Sequence, residues 1–248
     1  PEQRYQSAYG LLADLQQCIS LLNTSGEIEH FETGLKDRIS QFRLPKRLFG
    51  REEQARELRA VVERASAGES GFVLVTGRAG SGKTSLIGEL QLSVTREGGT
   101  FITGKCDYMN HEIPFAPILQ ALRRLLRQTW SEAPDKVEQL KARLLDALGQ
   151  GAGIITEILP EAVRLLGTIP LAEPLPPAEA ALRFRRLLPT FIGMFAGEDQ
   201  PLVLFLDDLQ WADPDTQDFL RVFAEDEVTS GIAVIGSFRS ETLEERMD

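Results

Sequence analysis

Gly77-Arg78-Ala79-Gly80-Ser81-Gly82-Lys83-Thr84 fits the pattern GxxxxGK[ST]. It follows a short apolar run, Phe72-Val73-Leu74-Val75, and opens a helix-forming stretch from Lys83 to about Arg96. Strand, loop and helix in that order are the context the pattern needs. The glycines let the backbone curl until several N–H groups face one hollow, and the helix start adds partial positive charge. The loop is built to hold phosphate. Lys83 is placed to reach the β- and γ-phosphates of a nucleotide, the Thr84 hydroxyl to ligate Mg2+, and Ser85 to approach the α-phosphate.

A second run, Leu202-Val203-Leu204-Phe205-Leu206-Asp207-Asp208, ends five apolar residues with two acids, the Walker B pattern. A buried strand releases its carboxylates only at its C-terminal edge, where a P-loop also lies. Asp207 is expected to hold Mg2+, mainly through water. Asp208 is expected to orient or deprotonate an attacking water. Arg239, just past a fourth apolar run at Ile232 to Ile235, has two readings. It touches the γ-phosphate as a sensor, or it is a solvated arginine beside Glu241.

Working outward, the pattern alternates short apolar runs with helices. A helix is expected from Arg51 to about Ala67, with Leu58, Val61 and Val62 on one face. Phe101 to Gly104 reads as a second strand and Pro114 to Gln128 as a helix. Helical pieces follow at 134–148 and 154–166. Pro170, Pro174, Pro176 and Pro177 make a stiff connection. The next helix carries Phe184, Leu188 and Phe191, and Pro189 should kink or split it. A last helix spans about Pro214 to Ala224. These elements predict an α/β P-loop NTPase, a three-layer α/β/α domain with a mostly parallel sheet and the P-loop strand central.

The first segment differs. Tyr5, Ala8, Leu12, Leu15, Ile19 and Leu22 alternate steps of three and four, which is one apolar seam on a helix. Asn23 to Gly26 stops it. The seam packs on the same chain or on a second copy.

Composition narrows the function. The chain has 248 residues, 42% hydrophobic and 26% charged, as ordinary globular proteins do. Its net charge of −10 disfavours a nucleic-acid-binding face, which needs clustered Lys and Arg. No apolar run approaches the roughly 20 residues that span a bilayer. Cys18 and Cys106 form no CxxC, and His30 and His111 complete no metal cluster. A reducing, cytoplasmic setting is expected. Without an initiator Met, the chain reads as part of something longer.

Several motifs resemble one family. Phe49-Gly50-Arg51-Glu52 precedes the P-loop, Gly104-Lys105-Cys106-Asp107 follows the second strand, and Pro114-Phe115-Ala116-Pro117 comes next. Phe205-Leu206-Asp207-Asp208-Leu209-Gln210-Trp211-Ala212-Asp213 covers the acidic pair and its exit. Together they resemble the AAA-type ATPase module of signal-transduction ATPases with numerous domains, above all the module inside large multi-sensor histidine kinases. Arg4 to Leu11 is similar to the linker helix that follows the kinase-like domain there. The resemblance implies a helical linker over 1–45 and an ATPase domain over 46–248, with helical insertions at about 115–197.

It implies ATP/ADP and Mg2+ as ligands, Phe49 and Gly50 near adenine, and other domains of the same polypeptide as partners. An oligomer is compatible with it. A fifth strand and a helical lid are implied beyond Asp248. Asp208 stands where faster AAA-type enzymes carry Glu. The function implied is a slowly hydrolysing ATP switch in a signalling protein. The alternatives are a nucleotide-binding module without turnover, or the ATPase module of a transcriptional regulator or DNA-loading protein.

Overall fold

The structure is a computed structural model and describes residues 8–28, 31, 50–169, 176–197, 200–225 and 231–241. By internal contacts the chain divides into two units, Pro1–Lys46 and Arg47–Asp248. In the first unit, helix α1 spans Ala8–Ser25 and closes on Gly26, whose φ of 77° suits glycine. Its seam residues Leu12, Leu15, Ile19 and Leu22 are each 51–60% exposed. Tyr5 lies outside the described residues.

The second unit begins with α2, Glu52–Ser66, which buries Leu58, Val61, Val62 and Ala65. Strand β1, Gly71–Gly77, leads through the phosphate loop into α3, Lys83–Arg96. Strand β2 is Thr100–Lys105. Then come α4 (Ala116–Thr129), α5 (Pro134–Leu148), α6 (Ala152–Ile158), α7 (Val163–Leu166) and α8 (Pro177–Gly193). Strand β3 (Leu202–Asp207), α9 (Pro214–Glu225) and β4 (Ile232–Arg239) complete it. Pro160 separates α6 from α7 through a 3-10 turn, because its missing N–H cannot continue a helix.

The sheet order is β1-β4-β3-β2, and every pairing is parallel. Side chains alternate across it, as period two demands. Phe101, Val203, Phe205, Ala233 and Ile235 pack with α2 and α3 on one face. Ile102, Leu202, Leu204, Leu206 and Val234 pack with helices α4 to α9 on the other. The expected three layers are present. The helices between 115 and 197 all join the second face, whose core includes Phe115, Leu122, Phe184, Phe191 and Phe219. Each such fully buried side chain contributes roughly 1.5–3 kcal/mol. Truncating Leu122 to Ala would cost about 2–5 kcal/mol.

One expectation is corrected and one is narrowed. Among the described residues β1 is an edge strand, not a central one: β4 is its one partner, and Phe72 and Leu74 stay 38% and 43% exposed. Pro189 does not split α8, which runs unbroken from Pro177 to Gly193. Proline removes the hydrogen bond to the Arg185 carbonyl and crowds that carbonyl with its ring. Phe184, Leu188, Phe191 and Ile192, all buried, hold the helix on both sides of that gap. Most of the proline-rich connection lies outside the described residues. Among the described residues no helix is long and apolar enough to cross a membrane.

Candidate nucleotide site

Parallel strands bring their C-terminal ends to one edge. Gly77, the last residue of β1, is in register with Arg239, the last of β4, and Asp207 at the end of β3 with Lys105 at the end of β2. Residues far apart in sequence thus meet at the rim where α/β sheets bind ligands.

The phosphate loop turns on glycines in left-handed conformations. Gly80 has φ 73°, and Gly82, at φ 88°, caps α3. A side chain at these angles would be strained, so the pattern requires glycine here. No side chain caps α3 and no acid sits in its first turn, which leaves its leading N–H groups for an anion. Lys83 Nζ folds over the loop, donating to the carbonyls of Gly77 at 2.5 Å and Arg78 at 3.0 Å. The buried Ser81 Oγ has no hydrogen-bond partner. Thr84 and Ser85 are exposed in the first turn of α3. Arg51 donates to the Ser81 carbonyl and so ties the Gly50-Arg51-Glu52 turn to the loop. Gly50 N–H donates to Glu52 Oε1 at 3.2 Å. Phe49 lies outside the described residues.

The acids are held from three strands. Ser237 Oγ donates to Asp207 Oδ1 at 2.5 Å and accepts from the Asp208 N–H at 2.9 Å. Asp208 leaves the strand in a left-handed turn, φ 58°, which is uncommon for a non-glycine residue. Its carboxylate takes Arg239 Nε at 3.0 Å, Gln210 Nε2 at 2.9 Å and, at 3.9 Å, Lys105 Nζ. Burial pushes this carboxyl up. The hydrogen bonds from Arg239 and Gln210 and the charges of Arg239 and Lys105 outweigh that and hold it below its ordinary value.

Arg239 is part of β4 rather than past it, and it is paired with Asp208 rather than simply solvated. Glu241, two residues on, accepts the P-loop Ala79 N–H at 3.2 Å, and its own backbone N–H first, then this bond, hold its carboxyl below the usual value.

Sequence reasoning missed Lys105, Gln210, Ser237 and Glu241 as site residues. One signal was available. Positions 237 and 239 follow the period of a strand, so these side chains of β4 recur on one side.

The motif around β2 and α4 seats the other wall. Helix α4 passes so close to β2 that a Cβ on Gly104 would lie 1.9 Å from the Pro117 carbonyl oxygen. Phe115, at φ 57°, turns into α4 with its N–H on Asp213 Oδ1 at 3.0 Å. Asp213, 2% exposed, also takes the Thr216 N–H at 2.9 Å and its hydroxyl at 2.6 Å. Asp107 caps a 3-10 turn through the Met109 N–H. The buried Cys106 thiol is pushed up to about 12 by burial, with Asp213, Asp207 and Asp208 adding to it.

The residues present fit a nucleotide with Mg2+. A glycine turn, an uncapped helix start, the buried hydroxyl of Ser81 and a lysine converge on one side of a carboxylate pair. Among the described residues no cluster of three His, Cys, Asp or Glu forms a self-sufficient metal cage. That suits Mg2+, which takes one or two protein groups and completes its shell with phosphate and water.

An all-parallel sheet with a phosphate loop after one strand and paired acids after another defines a P-loop nucleoside-triphosphatase domain. The chain belongs to the AAA ATPase domain family, whose model matches residues 47–235. It is also 33% identical to "Hybrid signal transduction histidine kinase G" of Dictyostelium discoideum over 91% of its own length. It spans 7% of that relative's length.

Proposed function

We propose that this chain binds Mg2+–ATP, hydrolyses it slowly, and serves as a regulatory switch within a multidomain signalling protein. The observation that carries the reading is the meeting of the Lys83 loop and the Asp207–Asp208 pair at one sheet edge. Residues 77–85 would cradle the phosphates, with the Lys83 ammonium leaving its loop carbonyls for the β- and γ-phosphate oxygens. Asp207 and Thr84 would hold Mg2+, which supplies charge neutralisation of the phosphates when bound. Asp208 would orient the attacking water and accept its proton at a carboxylate oxygen. Arg239 is poised to exchange Asp208 for the γ-phosphate. Residues 1–45 would form a linker to other domains and 46–248 the ATPase module. Gly50, with Phe49, would lie near adenine.

One observation favours the second reading, binding with negligible turnover. Two cations already sit on Asp208, which weakens it as a base.

The test is to incubate the chain with ATP and Mg2+, desalt it and identify the retained nucleotide, with Lys83→Ala as blank. Retained ADP in the wild type, and retained ATP in Asp208→Asn, are expected. ATP in both would select the second reading. Nothing above the blank would remove both.

A further inference from the structure

We infer that Gln210 is the positioning residue that keeps Asp208 aimed, acting through its side-chain amide from the turn behind the carboxylate. This rests on the reading of Asp208 as the water-orienting acid.

Three side chains from other positions hold the Asp208 carboxylate, and they differ in kind. Arg239 and Lys105 are long cations whose side chains are 45% and 62% exposed. Both can leave for a phosphate oxygen. Gln210 is 5% exposed and pinned at both ends of its amide. Its Nε2 donates to Asp208 Oδ1 at 2.9 Å, and its Oε1 accepts the Arg239 backbone N–H at 3.4 Å. The second contact fixes which way the amide points, so the donor faces the acid.

The short 3-10 turn Leu209–Trp211 delivers it there. Asp208 needs such a hold, because its left-handed backbone leaves it at a bend. A neutral donor also has a chemical advantage over a cation. It fixes the direction of a lone pair without cancelling the charge that accepts the proton. When Arg239 turns to phosphate, the Gln210 amide remains on the carboxylate.

A purely structural role would be to satisfy the part-buried Arg239 N–H. Gln210→Glu separates the two, since it is isosteric, keeps that acceptor and loses the donor. The full chain is assayed as wild type, Gln210→Glu and Gln210→Met, each also in the Asp208→Asn background. Expected is a fall in kcat of roughly tenfold or more in both variants, with KM for ATP within about twofold. In the Asp208→Asn background neither change should lower kcat further. Wild-type kcat in Gln210→Glu, or an equal loss in the Asp208→Asn background, overturns the inference.

Crystals of Gln210→Met and wild type with Mg2+ and a non-hydrolysable ATP analogue need no turnover. The Asp208 carboxylate should be rotated in the variant, and an unchanged carboxylate also overturns the inference. Absence of ATP turnover in the wild type counts instead against the hydrolysis reading.

Discussion

One guanidinium grips one carboxylate at the rim of the sheet: Arg239 Nε lies 3.0 Å from Asp208 Oδ1, and Nη2 lies 3.3 Å from Oδ2. The acid is 13% exposed and the arginine 45%, so the pair is half in water and worth little as a staple. Its consequence is chemical. The acid proposed as the base and its best counter-charge are already in contact, so on that proposal phosphate must compete for the arginine. Arg239→Ala should keep ATP on the Lys83 loop while slowing turnover by at least about tenfold. Because Arg239 helps hold the Asp208 carboxyl below its ordinary value, its removal should move the acidic limb of the rate profile to higher pH. Equilibrium binding of a fluorescent ATP analogue and a phosphate-release assay across pH read both effects.

Glu241 takes an N–H of the same loop that would bind phosphate. Its carboxylate opposes an incoming anion and must give up Ala79. Glu241→Gln should tighten ADP and ATP binding about threefold to tenfold at low salt, and less at high salt. Titration calorimetry at two ionic strengths checks this. Unchanged affinity at both would show that Glu241 swings clear at no cost.

The seating of α4 rests on a backbone approach and one buried acid. Gly104→Ala should yield no folded protein, because the added methyl meets main chain at 1.9 Å rather than a movable side chain. Asp213→Ala orphans the Phe115 and Thr216 N–H groups and should cost about 2–4 kcal/mol. Thermal unfolding of Asp213→Ala should fall by roughly 5–10 °C, with the helical circular dichroism retained below the transition.

The Cys106 thiol, at about 12, is neutral well above neutral pH. At pH 8 about one in ten thousand is thiolate, the reactive form. Iodoacetamide at pH 8 should modify the half-buried Cys18 and spare Cys106. In denaturant both should react. Raising the pH toward 10 should still leave native Cys106 largely unmodified, and mass spectrometry after digestion distinguishes the two.

The local parts of this molecule were legible in the sequence. The phosphate loop, the apolar run ending at Asp207 and the periodic helices each depend on neighbours within a few residues, so their pattern survives in one dimension. Apart from Gln210, two residues from Asp208, what escaped depends on distant partners. Ala79 meets Glu241 across 162 positions, and Asp208 meets Ser237 and Arg239 across 29 and 31. That β1 is not central among the described residues was hidden for a related reason. An apolar run with β-branched residues signals a strand but not its number of neighbours. Phe115 adopts a left-handed angle that its residue type does not advertise, and Asp208 one that aspartate only sometimes takes. Of the two outcomes expected at Pro189, the split does not occur, because a breaker signal is local while the buried residues that hold α8 together are not.

The position of β1 has a mechanical meaning. The strand that carries the phosphate loop is anchored along one side only, to β4, and its other rail of N–H and C=O groups is free among the described residues. Within the described residues, the strand under the loop is therefore supported from one side. A strand laid against that rail, from this polypeptide or another, would stiffen the support of Gly77 without touching nucleotide. Grip on phosphate would then report whether that berth is filled.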